Sequence, residues 1–312
     1  MALSSSVSKL PDDLDHVVIL VNPQAGPAAA ESLADALAWQ LCRQDFTVKT
    51  FADLASATAQ ANQWYADGYL RAVVGVGGDG TAAALVNGTR EGVPITVLPA
   101  GNSNLLARHF GLSKDPQEVC QTICDGATIQ VDAGLANGRV FLLMAGCGFD
   151  AAVVERVHRR RTGHVSDRKY FQAVLASMWS YPFAEIQAHW QDQQGQPVEP
   201  PTLARWWFAL NLPCYAAGLR IVPQADGFDG QLDVLGLRRG GSLCGLGYLV
   251  AILGHFHHRL PGCTLRRANR LRLTSGVTVP YQLDGDPGGQ LPLDLSVLPA
   301  RVTLVVPAAT LR

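Results

Sequence analysis

The chain has 312 residues, 48% of them hydrophobic and 16% charged, with a formal net charge of −1. That length exceeds what one hydrophobic core usually serves, and this composition excludes a disordered chain and a general nucleic-acid binder. The seven cysteines lack paired CxxC spacing and read as reduced, mostly buried thiols rather than a disulfide framework.

From Met1 to His16 the chain carries serines and aspartates where a signal peptide needs an apolar core, which places the protein in the cytosol. Short β-type runs then alternate with helical ones: His16 to Val21, Ala28 to Arg43, Phe46 to Phe51, Ala55 to Ala66, Arg71 to Val76, Thr81 to Thr89 and Ile95 to Leu98. This order predicts a parallel sheet with crossover helices, and in such sheets ligands collect at the carboxyl ends of the strands. The loops found there are Asn22-Pro23-Gln24-Ala25-Gly26, Gly77-Gly78-Asp79-Gly80-Thr81 and Pro99-Ala100-Gly101-Asn102-Ser103-Asn104.

The second of these loops carries the strongest chemistry. Glycines at 77, 78 and 80 permit a positive φ and remove every Cβ, so backbone N–H groups can close on an anion at the start of a helix. Asp79 would repel a bare phosphate, so a magnesium ion or a reacting hydroxyl is expected between them. The plain alternative, a tight strand-to-helix connection, fits the same residues.

From about Val131 the pattern turns β-rich: Val140 to Ala145, Glu185 to Trp190, Leu203 to Leu212, Leu232 to Leu237, Arg270 to Thr274, Val279 to Leu283 and Leu293 to Leu298 predict an antiparallel sandwich. Helical inserts are expected over Asp150 to Trp179 and Ser242 to Phe256, and an exposed hairpin loop over Gln191 to Pro201. Arg301 to Pro307 reads as a last strand returning to the first domain. The expected division is therefore an α/β domain over 1–132, a β-sandwich over 133–299 and a returning segment over 300–312.

Four local features lie outside this pattern. The basic run Arg156, Arg159, Arg160, Arg161, Arg168 and Lys169 is either a solvated loop or a contact for anionic lipid or nucleotide phosphate. Ser242 to Phe256 is too short and too glycine-rich to span a bilayer, so a packed helix or an interfacial contact is expected. Trp206 and Trp207 alternate faces, which puts one in the core and offers the other to a lipid cleft. His255, His257 and His258 read as exposed imidazoles at a helix end.

Six segments together resemble the diacylglycerol kinase catalytic family, in particular the bacterial soluble lipid kinases related to sphingosine and ceramide kinases. They are Asn22-Pro23-x-x-Gly26, Gly77-Gly78-Asp79-Gly80-Thr81, Pro99-x-Gly101-x-x-Asn104-x-x-Ala107-Arg108, Gly146-x-Gly148-x-Asp150-Ala151, Asp226-x-x-Asp229-Gly230 and Asp284-Gly285-Asp286. The likeness spans nearly the whole chain.

The resemblance implies a two-domain enzyme in which ATP lies in a cleft and gives its γ-phosphate to a lipid hydroxyl. By position, Gly77, Gly78, Asp79, Gly80 and Thr81 would cradle the phosphates, with Asn22, Gly26, Asn102 and Asn104 completing the nucleotide wall. The family's closing Asp-Gly-Glu supplies the base. This chain has Asp286 there, one methylene shorter, which makes Asp284 a competing candidate. Asp226, Asp229 and Gln231 match the family's magnesium loop, in which Asp229 offers a carboxylate and the other two offer backbone carbonyls. An anionic membrane surface is the implied partner, at the inner face of the membrane. Two other functions fit parts of the pattern: an NAD kinase, which shares the Gly-Gly-Asp-Gly-Thr turn, and a catalytically inactive lipid- or nucleotide-binding regulator.

Overall fold

The computed structural model describes residues 7–22, 27–101, 103–159, 167–215, 218–254 and 256–311. It forms two compact units, one of Met1–Val131 with Ala300–Arg312 and one of Asp132–Pro299.

In the first unit a short strand β1 (Val7–Lys9) precedes β2 (His16–Val21), α1 (Pro27–Cys42), β3 (Thr47–Phe51), α2 (Leu54–Ala66), β4 (Leu70–Gly77), α3 (Asp79–Gly88) and β5 (Pro94–Pro99). Then come α4 (Leu105–His109), α5 (Pro116–Asp125) and β6 (Ala127–Ala136), which carries the chain into the second unit. The parallel order is β3-β2-β4-β5, and β4 and β5 are buried along their whole length. Continuous apolar runs of this kind belong to strands covered on both faces. One face packs Val17, Ile19, Val74 and Val76 against Ala30, Ala34, Leu37 and Leu41 of α1 and Val119 and Ile123 of α5. Each fully buried leucine in that stripe contributes about 2 kcal/mol.

Local chemistry sets the helix ends. Asp53 caps α2 by accepting the Ser56 N–H at 2.8 Å, and Asp115 caps α5 through the Gln117 N–H at 3.0 Å with Pro116 following it. The α5 C-terminus is closed by the buried Arg71, whose guanidinium donates to the carbonyls of Ile123, Cys124 and Pro11. Gly126 follows with φ 64°, and a Cβ there would stand 2.3 Å from Arg71 Nη2.

The second unit holds β7 (Arg139–Phe141), β8 (Met144–Gly148), α6 (Phe149–Arg159), α7 (Asp167–Ser180), β9 (Ile186–Gln191), β10 (Thr202–Ala204), β11 (Trp206–Leu210) and β12 (Leu232–Leu237). After them come α8 (Ser242–Leu253), β13 (Cys263–Ala268), β14 (Arg270–Thr274), β15 (Pro280–Leu283), β16 (Asp286–Gln290) and β17 (Leu293–Val305). One antiparallel layer runs β13-β12-β11-β8-β15-β16, and the other is built on β10-β9-β14 and the start of β17. Their inner faces share one core in which Cys147, Trp207, Val234 and Leu283 of the first layer meet Ile186, Trp190, Leu271 and Leu295 of the second. This is a β-sandwich. β17 is a single strand where two were expected; Pro299 reads as a terminator, yet the strand continues through the left-handed Ala300 (φ 52°). Back in the first unit, its Thr303 and Leu304 pair in parallel with Pro94 and Ile95 of β5.

Several expectations need correction. Trp206 and Trp207 are both buried, because Trp207 faces the sandwich core while Trp206 stacks on Phe149 and Phe183 on the other face. His257 is buried too and holds the Ile221 carbonyl at 2.6 Å. His255 lies outside the described residues, as does the side chain of His258. Only Cys120 and Cys147 of the seven free thiols are buried. Of the basic run, Arg156 and Arg159 lie on α6; Arg160, Arg161 and the side chains of Arg168 and Lys169 are outside the described residues.

Candidate functional site

In the first unit Asn22 and the loops that follow β4 and β5 lie at one end of the sheet because β2, β4 and β5 are parallel neighbours. Neither Gly77 nor Gly78 has a positive φ; Gly77 is required by space, whereas a Cβ on Gly78 would meet Asn104 and Gly101 only at an ordinary 3.5 Å. A Cβ on Gly77 would stand 2.2 Å from Thr81 Oγ1, and one on Gly101 would stand 2.8 Å from the Gly78 Cα. The glycine turn and the proline loop thus meet backbone to backbone, joined by the Ala100 N–H to Gly77 carbonyl bond of 2.9 Å. Helix α3 begins after Gly78 with no side-chain cap, which leaves its first-turn amides without the usual side-chain oxygen.

The polar residues here hold one another. Asn22 Nδ2 donates to Thr81 Oγ1 at 2.9 Å and so ties the first loop to the glycine turn. Asn104 is buried with φ 44°; its Nδ2 donates to the Gly101 carbonyl at 2.6 Å, while its Oδ1 has no hydrogen-bond partner among the described residues. Asp79 accepts the Leu105 and Leu106 N–H groups at 3.0 and 2.9 Å, and in this way caps α4 from a different segment. Burial pushes the Asp79 carboxyl above its usual range, against the opposing pull of those two amides. Gly80 lies beside Asp79 in the first turn of α3. Gly26 and Asn102 lie outside the described residues.

In the second unit Asp284 and Gly285 form the two-residue tip of the β15–β16 hairpin, with φ of 51° and 89° as a type I′ turn requires. The Asp284 carboxylate accepts three backbone N–H groups, from Leu142 at 2.7 Å, Leu143 at 2.8 Å and Met144 at 3.0 Å. Asp286 opens β16, half-buried, and its carboxylate has no hydrogen bond or ion pair among the described residues. The two acids expected to compete for one role therefore occupy different electronic situations.

Asp150, in the first turn of α6, was legible as part of the Gly146-x-Gly148-x-Asp150 motif, but its partners were not. It is buried; Tyr215 Oη donates to Oδ1, and Gln282 Nε2 donates to Oδ2 at 2.8 Å. Burial pushes its carboxyl up, and the two hydrogen bonds pull the other way.

The Asp226–Gln231 turn is closed by the Gln231 N–H on Asp229 Oδ1 at 3.0 Å and by the Gly230 N–H on Asp132 Oδ2 at 2.7 Å. Arg267 pairs with Asp229 at 3.3 Å and with Asp233 at 3.4 Å. Asp229 Oδ2 and Asp233 Oδ2 are nevertheless buried without a well-aligned donor. Burial pushes Asp233 up, Arg267 draws it down, and the charges of Asp229 and Asp226 raise it again. One guanidinium thus faces an excess of buried negative charge, a setting that fits a hard cation. Among the described residues no three His, Cys, Asp or Glu side chains converge on one point, so such an ion would rely on backbone carbonyls and water.

Comparison with known proteins places these features. The diacylglycerol kinase catalytic domain family matches residues 16–136, and the YegS C-terminal NAD kinase beta sandwich-like domain matches residues 144–306. The chain is 29% identical over 316 residues to a diacylglycerol kinase of Mycobacterium tuberculosis, covering 95% of this chain and 96% of that one. It is 24% identical to a diacylglycerol kinase of Staphylococcus carnosus, covering 93% and 94% respectively. Among solved structures, a diacylglycerol kinase from Bacillus anthracis superposes with a TM-score of 0.66 at 17% identity, over 95% of this chain and 98% of that one. An NAD kinase from Archaeoglobus fulgidus in complex with ATP superposes with a TM-score of 0.51 at 12% identity, over 95% and 96%. At these identities the structural likeness shows the fold.

Proposed function

The chain belongs to the family that joins a diacylglycerol kinase catalytic domain to a YegS-type, NAD kinase-like β-sandwich, and from that premise we propose that it transfers the γ-phosphate of Mg-ATP to a lipid hydroxyl, that of diacylglycerol first. The observation that carries the reading is the bare turn at Gly77 and Gly78, packed on Gly101 at the uncapped start of α3. Backbone N–H groups there can take phosphate oxygens without any side chain intervening. The fold is also one on which ATP is held in the archaeal NAD kinase.

In this reading Asn22, Thr81 and Asn104 keep the turn rigid, and Asp79 locks it to α4. Asp286 accepts the proton of the lipid hydroxyl, the freed oxygen pair bonds to the γ-phosphorus, and the bond to the β-phosphate oxygen breaks to release ADP. Asp284 is the weaker candidate for that proton, because its oxygens already serve three amides. Magnesium bound with the nucleotide supplies charge neutralisation. A second magnesium at Asp226, Asp229 and Gln231 would stabilise the sandwich turn.

Contact with a membrane is supported by α8. Gly245, Tyr248 and Ile252 face inward, whereas Leu243, Leu246, Val250 and Leu253 form an outward stripe, with Leu243 79% and Val250 54% exposed. Exposed Arg238, Arg239 and Arg259 flank the helix, which itself carries no acid. Such a face suits an anionic bilayer surface. No helix among the described residues is long and apolar enough to cross a membrane.

Incubating the protein with γ-labelled Mg-ATP and mixed micelles of diacylglycerol, sphingosine, ceramide or phosphatidylglycerol tests the proposal. Label in the organic extract supports it and identifies the acceptor. Label in NADP when NAD is supplied, or no transfer at all, overturns it in favour of an NAD kinase or an inactive regulator respectively.

A further inference from the structure

We infer that Tyr215, Asp150 and Gln282 form a positioning relay for Asp286, whose role in proton transfer rests on the proposed function. All four lie in the second unit. Tyr215 Oη and Gln282 Nε2 both donate to the Asp150 carboxylate, and Gln282 Oε1 accepts the Gly285 N–H at 2.7 Å. A carboxylate can only accept, so Asp150 dictates which end of the Gln282 amide points toward it. The other end is thereby committed to the N–H of Gly285, the residue that precedes Asp286. The hairpin tip is then held twice, at Asp284 by its three amides and at Gly285 by Gln282.

Packing supports the same arrangement. Asp150 is 3% exposed and Gln282 is 2% exposed, and a Cβ on Gly146 would stand 2.2 Å from Asp150 Oδ2 and 2.6 Å from Gln282 Nε2. The bare Gly146 makes room for the pair, which accounts for the first glycine of the Gly146-x-Gly148-x-Asp150 motif. A carboxylate buried against neutral donors is costly to keep. Fixing the shortened acid at 286 supplies a use for it, since small positional errors in a reacting group lower rates by about 100-fold.

The test combines amide exchange with kinetics. In Tyr215→Phe and Gln282→Leu the Gly285 N–H should exchange at least about fivefold faster by NMR, and kcat should fall by roughly 10- to 100-fold with KM for Mg-ATP unchanged. On an Asp286→Asn background Tyr215→Phe should lower the residual rate no further, whereas a merely structural role would still lower it. Unchanged Gly285 exchange in both Tyr215→Phe and Gln282→Leu overturns the relay. Absence of phosphoryl transfer by the wild type would refute the kinase reading instead, and the exchange rates would still decide the relay.

Discussion

Replacing Asp284 and Asp286 separately by asparagine distinguishes an acid that holds the hairpin from one that takes a proton. In Asp284→Asn one oxygen can still serve Leu143 and Met144, but the new NH2 group faces the Leu142 N–H, donor against donor. One charge-assisted bond is lost and two become neutral, a cost of about 3 kcal/mol. For a unit of this size that is a fall in melting temperature of roughly 6 to 12 °C. Asp286→Asn breaks no hydrogen bond among the described residues, so its melting temperature should stay within about 1 °C while kcat falls by at least 100-fold. Differential scanning fluorimetry and the labelled-lipid assay provide both readouts. An Asp284→Asn protein as stable as the wild type, or an Asp286→Asn protein with wild-type kcat, would refute the division of roles.

Gly77→Ala puts a methyl group 2.2 Å from Thr81 Oγ1 and 2.8 Å from Thr81 Cβ; ATP affinity by calorimetry should drop at least about tenfold. The carboxyl of Asp150 is raised above the ordinary 3.8 in the folded protein, so the folded state binds more protons, and stability falls as pH rises from 3.8 toward the folded value. Asp150→Asn should remove that slope, seen as a chemical-denaturation difference from wild type that grows across this window and then levels off. Chelation should lower the melting temperature of the wild type and leave Asp229→Ala unmoved if the Asp226–Gln231 turn holds magnesium; equal behaviour of the two would refute the site.

The parallel half of the fold was legible because β2, β4 and β5 are largely apolar runs and its turns carry glycine or proline. The missed strands lack that signal. Asp286–Gln290 reads Asp-Pro-Gly-Gly-Gln, a turn by composition, and becomes β16 only because β15 pairs with it. Ala127–Ala136 mixes Asp, Gly and Gln with its apolar residues, so neither period 2 nor a buried run stands out. The glycine turn and the acid pair were visible as motifs, but where each carboxylate points was not. Asp79, Asp150 and Asp284 each spend their oxygens on groups 26 to 142 residues away, contacts that no local pattern encodes.

The returning strand has a practical corollary. Arg301 Nη2 donates to the Val86 and Thr89 carbonyls, both at 2.9 Å, and Thr303 and Leu304 cover the flank of β5. A fragment ending before Ala300 would strip the C-terminal end of α3 of its cation and leave the β5 edge bare, inviting strand exchange between copies. The first unit is therefore better isolated as a permuted chain, with its last thirteen residues fused ahead of its first, than as a simple truncation.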